Sequence, residues 1–99
     1  MIVEFATQAV VEYEEALSGY DWHGTGVGNS FANSVRETVE KISDFPNVGS
    51  PLSKGIRKSR VRGFQYCLIY QLMDQKVYVL AVAHDKRLPG YWKSRIIKV

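Results

Sequence analysis

Lys58, Arg60 and Arg62 stand at every second position of one short stretch, and His84, Arg87, Tyr91, Trp92 and Arg95 follow one another further on. Guanidinium and ammonium groups bind phosphate or carboxylate, and arginine interleaved with tyrosine or tryptophan is the composition of nucleic-acid contacts and of protein hot spots. Alternation along a strand sends Lys58, Arg60 and Arg62 to one sheet face, with Arg57 in the same basic run. Like charges so close repel unless water or an anion shields them. The stretch is therefore either a solvated, charge-defended edge or a docking surface for acid-rich protein or phosphate. The run VLAVAH stays apolar as far as His84, which marks a central strand, so the residues just past it are expected to be exposed and rigidly placed. A plainer reading has Tyr91 and Trp92 closing the core edge and Arg95 in a surface salt bridge.

Other chemistries find less support. Two histidines and one cysteine do not space out as metal ligands, so no metal or cofactor is expected. The glycines of HGTGVGN follow a helix rather than a strand, which argues for an inter-helix loop over a phosphate cradle. Cys67 reads as a small buried hydrophobe, and His23, beside Trp22, as a surface or hairpin-packing residue. No serine sits on a recognisable nucleophile turn.

The elements that would position these groups follow from periodicity. MIVEF is short enough for an edge strand. Ala6, Ala9, Val10, Tyr13, Ala16 and Leu17 recur on one helical face, with Thr7 as N-cap and Gly19 as stop. A second helix begins near Asn29 or Ser30, buries Phe31, Ala32, Val35, Val39 and Ile42, and ends at Pro46. Residues 46–55 are turn material. Then the period becomes two: a basic strand IRKSRVRG, a second strand FQYCLIYQLM, a turn at Asp74-Gln75 and a third strand KVYVLAVAH. Helices grouped before consecutive strands argue for an α+β fold: an N-terminal strand, an α-helical hairpin and a three-stranded antiparallel meander, in a twisted antiparallel sheet of about four strands.

Composition bounds the rest. Ninety-nine residues, 45% hydrophobic and 23% charged, read as one globular domain over 1–99. No apolar run approaches a membrane span, the N-terminus lacks a signal pattern, and a lone cysteine asks for no oxidising compartment, so a cytoplasmic location is expected. The net charge of +3 hides an asymmetry. Residues 1–53 carry eight acids and two bases, and residues 54–99 eleven bases and two acids. One face should be electropositive and meet something anionic.

The stretches FPNVGSPL, GIRKSRVRGFQYCLIYQL and VYVLAVAHDKRLPGYWKSR resemble the RelE/ParE toxin superfamily of bacterial type II toxin–antitoxin systems, especially the ParE-like branch of plasmid stabilisation proteins. The most specific part is the ending His84, Arg87, Pro89, Tyr91, Trp92 and Arg95. The resemblance implies a toxin held inactive in a hetero-oligomer with a cognate antitoxin, whose C-terminal segment would cover the basic face; Arg57, Lys58, Arg60, Arg62, Arg87, Tyr91, Trp92 and Arg95 are expected to bind the target or the antitoxin. ParE-like members poison DNA gyrase, whereas RelE-like members cut messenger RNA on the ribosome without a metal. For RNA cleavage, Lys58, Arg60, His84, Arg87 and Tyr91 would be the catalytic set. The arginine that such nucleases carry on the third strand falls here on Cys67, which cannot hold a phosphate. This favours the gyrase reading, with mRNA cleavage and a non-toxic antitoxin-binding module as alternatives.

Overall fold

The structure is a computed structural model describing every residue except His23, Thr25 and Val99, so the expectation for His23 lies outside the described residues. The elements run β1 (Ile2–Phe5), α1 (Thr7–Trp22), α2 (Val27–Asp44), β2 (Ser50–Ser53), β3 (Ile56–Arg60), β4 (Tyr66–Met73) and β5 (Lys76–His84), then a 3-10 turn at Lys93–Arg95. The fold is α+β, with a helical hairpin packed on one five-stranded sheet of order β1-β5-β4-β3-β2. Strands β2 to β5 pair antiparallel as a meander.

Several expectations are corrected. The sheet is not wholly antiparallel, because β1 lies parallel to β5, with Ile2 opposite Lys76 and Phe5 opposite Val79. It has a fifth strand, β2, inside the stretch read as turn. Ser-Pro-Leu-Ser is exposed throughout and has no apolar alternation, so its neighbour β3 sets its conformation rather than its own residues. Helix α1 continues past Gly19 to Trp22. The extra turn brings Tyr20 within 5.0 Å of the Phe31 and Phe64 rings, and this aromatic packing outweighs glycine's poor helix propensity. Helix α2 starts at Val27, earlier than expected, directly after Gly26 at φ 89°. Val10 lies on the rim of its helix and is exposed, while Ala9 and Ala16 face the core.

The main core lies between helices and sheet, where Phe31, Leu68, Tyr70, Val77 and Val79 are fully buried. Tyr70 meets its polar requirement by donating to the Pro46 carbonyl at 2.8 Å and accepting from the Gly49 amide at 2.9 Å. A side chain at Gly49 would come within 2.6 Å of the Lys58 carbonyl, so only glycine allows that approach. A second, smaller core sits on the opposite sheet face, where Trp92 covers Ile56, Ile69, Leu80 and Ala81. That face carries the candidate site.

Candidate functional site

The residues around the small core form an open groove of about 230 Å³. Its floor comes from Cys67, Ile69 and Ala83, and Lys58 and Arg60 enter from β3. His84, Arg87 and Tyr91 form the far wall, and Leu52 and Leu88 are exposed apolar residues at its rim. The alternation expected for β3 holds for Lys58 and Arg60, which line this groove together.

It fails for Arg62 and does not include Arg57. The basic strand stops at Arg60, and Arg62 lies in a turn closed by Gly63 at φ 85°, its carbonyl accepting from Ser34 Oγ at 2.6 Å. Arg57 is odd in the register and bonds the carbonyls of Asn47 and Gly49, at 3.1 and 2.6 Å, tying down the loop before β2. The four bases are thus divided between a groove, a turn and a loop clamp.

The groove bases differ in how strongly they are engaged. Lys58 is exposed and has no salt bridge among the described residues. Arg60 donates to both Asp85 oxygens at 3.1 and 3.2 Å and to the Phe64 carbonyl at 3.1 Å. Its bond to Asp85 favours the charged guanidinium. His84 Nδ1 accepts from the Lys86 amide at 3.0 Å, leaving Nε2 as the ring's remaining polar atom, and the ring stands edge-on to Tyr66 at 5.0 Å. Burial pushes the Cys67 thiol up, and Arg60 only partly offsets it. An inert thiol therefore floors the groove.

The far wall corrects the expected exposure of the 84–95 cluster. Trp92 is 6% exposed and belongs to the small core. Arg95 is largely withdrawn from solvent, its side chain 13% exposed, and its Nη1 and Nη2 donate to the Glu12 carboxylate at 2.9 and 3.1 Å. Tyr91 Oη donates to Glu12 Oε2 at 2.9 Å. The plainer reading of these three residues is thus close to the structure, although Arg95's partner lies inside rather than on the surface. Only Arg87 stays half exposed, with its guanidinium carbon 3.9 Å over the Tyr91 ring and Nη1 3.9 Å from Glu12 Oε2. Glu12, the hub of this network, carries no distinguishing signal in the sequence. It stands among Glu14 and Glu15, and nothing in a run of helical glutamates marks the one that turns inward.

Burial and the Glu12 carboxylate push the Tyr91 phenol up to about 12, the nearby Arg87 and Arg95 notwithstanding. The fold therefore favours the protonated phenol, whose stabilising effect is complete below the unfolded value near 10 and is lost as pH rises through about 12. A spectrophotometric titration should show a late tyrosine transition near pH 12 that disappears in Tyr91→Phe. Its survival in that variant would place the late phenol elsewhere.

Among the described residues no three His, Cys, Asp or Glu side chains group as metal ligands, and no helix is long and apolar enough to cross a membrane. The groove sets the cations of Lys58, Arg60 and Arg87 beside the exposed apolar side chains of Leu52 and Leu88.

Residues 3–89 match the family model described as the ParE toxin of the type II toxin–antitoxin system, parDE. The chain belongs to the ParE toxin family. The match stops at Pro89, so Tyr91, Trp92 and Arg95 lie beyond it. Over 68 residues the chain is 31% identical to toxin ParE2 of Mycobacterium tuberculosis, covering 69% of this chain and 62% of that protein's length. Two solved structures share the fold. One is described as the chromosomal ParDE TA system from P. aeruginosa, with TM-score 0.61, 11% identity, and coverage of 85% of this chain and 95% of the other. The other is the isolated E. coli RelE toxin, with TM-score 0.63, 18% identity, and coverage of 94% and 93%.

Proposed function

We propose that this chain is the toxin of a type II toxin–antitoxin pair, that it arrests growth by binding DNA gyrase rather than by cutting RNA, and that a cognate antitoxin holds it inactive. One observation carries the choice against cleavage: two of the five groups such chemistry would use, Tyr91 and Arg60, are engaged within the fold. The Tyr91 phenol is held by Glu12 and ionises only at about 12, so it is a poor general base near neutral pH. Arg60 is paired with Asp85, and a protonated thiol occupies the neighbouring floor position. The competing reading, RelE-like cleavage of ribosome-bound mRNA, draws on Lys58, His84 and Arg87 lining one groove.

The antitoxin segment that fits is acidic and partly apolar, its carboxylates meeting Lys58, Arg60 and Arg87 and its apolar side chains meeting Leu52 and Leu88. Charge steering makes association slow as salt rises. The double change Lys58→Glu with Arg60→Glu is expected to lower the association rate about tenfold or more at low salt. Arg62→Glu, on the turn, should change it far less. Equal effects of the two substitutions in stopped-flow binding would remove the groove as the docking surface.

Growth of a bacterium after induced expression, with and without the neighbouring antitoxin reading frame, tests the toxin reading itself. Arrest relieved by co-expression is expected. Undiminished growth with soluble, folded protein would leave only a non-toxic antitoxin-binding module.

A further inference from the structure

Strand β1 ends at Phe5, opposite Val79, and the Ala6 amide closes the pairing on the Val79 carbonyl at 2.8 Å. Strand β5 continues for five more residues, Leu80 to His84, and among the described residues no strand pairs with it on that side. A bulge at the same point places Leu80 opposite no residue of β4. Backbone groups along this stretch would be left without partners in a half-buried position, which is costly. Two side chains supply them. Glu12 Oε1 accepts from the Val82 amide at 3.1 Å, and Arg95 Nη1 donates to the Leu80 carbonyl at 3.0 Å. The acceptor and the donor are themselves joined as an ion pair.

The segment 88–97 runs back across the sheet like a strap. Its middle is held by Tyr91 and Arg95 on Glu12 and by Trp92 in the small core. Its far end is held by Gln71, whose amide exchanges two hydrogen bonds with the Ile97 backbone at 2.8 and 2.9 Å. The Glu12 carboxylate reaches the open edge of β5, the strap and, at 3.9 Å, Arg87.

We propose that Glu12 is a positioning residue: its carboxylate stands in for a missing neighbour strand along β5, and so holds the strap 88–97 and Arg87 in place as the wall of the groove. Without it the wall loses its mid-point, and Arg87 and Tyr91 leave the positions from which they face a partner. The effect on partner binding rests on the toxin reading; the effect on the strap does not.

The chain holds two tryptophans, and Trp22 is 87% exposed, so in a Trp22→Phe background Trp92 alone reports strap docking. In that background Glu12→Ala is expected to shift Trp92 emission to the red. It should also speed amide exchange at Val82, Arg95 and Ile96 about tenfold or more, while Leu68 in β4 keeps its protection. Glu12→Gln keeps one acceptor oxygen, for Val82, turns an NH2 donor toward the Tyr91 phenol, and loses the charge that pairs Arg95. It should leave Val82 protected and loosen only the strap, and it carries the test should Glu12→Ala fail to fold. Growth inhibition should fall in the order wild type, Gln, Ala. Unchanged Trp92 emission, or exchange at Leu68 that rises as much as at Val82, would overturn the proposal, since the first means no positioning and the second mere global destabilisation. A wild-type chain that does not inhibit growth would instead sink the toxin reading, and the fluorescence and exchange results would still decide the role of Glu12.

Discussion

Arg87→Ala is expected to abolish growth inhibition while lowering stability by no more than about 1 kcal/mol. Arg87 is the one arginine of the far wall that remains half exposed, so its charge faces solvent rather than being used up inside. What it contributes to the fold is small. It lies over the Tyr91 ring, a contact worth about 0.5–1 kcal/mol at an exposed site. Its 3.9 Å approach to Glu12 is long for an ion pair, and Glu12 keeps the shorter bonds to Arg95 and Tyr91 when Arg87 is gone. Growth after induction, paired with a thermal melt of the purified variant, separates the two effects. A variant that melts like wild type and still arrests growth fully would show that the binding site lies elsewhere.

Arg95→Ala should have the largest effect on stability, about 3 kcal/mol or more, because it strands a carboxylate that is only 12% exposed and orphans the Leu80 carbonyl. For a chain of this size that corresponds to a fall in Tm of at least about 12 °C. Buried ion pairs can often be replaced by apolar residues at no net cost, yet here that remedy should fail. Glu12→Leu with Arg95→Met removes the buried charges together but leaves both the Val82 amide and the Leu80 carbonyl without partners. Calorimetry of the single and double variants checks this. A double variant as stable as wild type would mean that the two side chains do not serve the open edge of β5.

Periodicity made much of this fold legible, and the misses have identifiable physical causes. The helical stripe through Phe31, Val35 and Ile42 and the apolar run of β5 could be read because each buries a face with a fixed repeat. Strand β2 could not, since its four exposed residues take their conformation from a neighbour. Nor does a short, weakly alternating segment reveal whether it pairs parallel or antiparallel, so the direction of β1 is visible only in the structure. The site was legible as a set of bases but not as an arrangement. Lys58 and Arg60 share a face by strand geometry, but the early end of β3 removes Arg62 from it. The difference between Arg87, available to a partner, and Arg95, spent on Glu12, depends on a contact spanning 83 residues. Local spacing carries no trace of such a contact.

On the proposed function the groove acts by binding and not by cleavage. Purified protein added in parallel to gyrase with relaxed plasmid and to ribosomes programmed with messenger tests it most directly, with the Arg87→Ala variant as control. Supercoiling is expected to fall with added wild-type protein and to be restored with the control, while ribosome-bound messenger stays intact. Transcripts cut at codon-phased positions, with supercoiling undiminished, would contradict it and assign Lys58, His84 and Arg87 to RNA chemistry despite the thiol at Cys67.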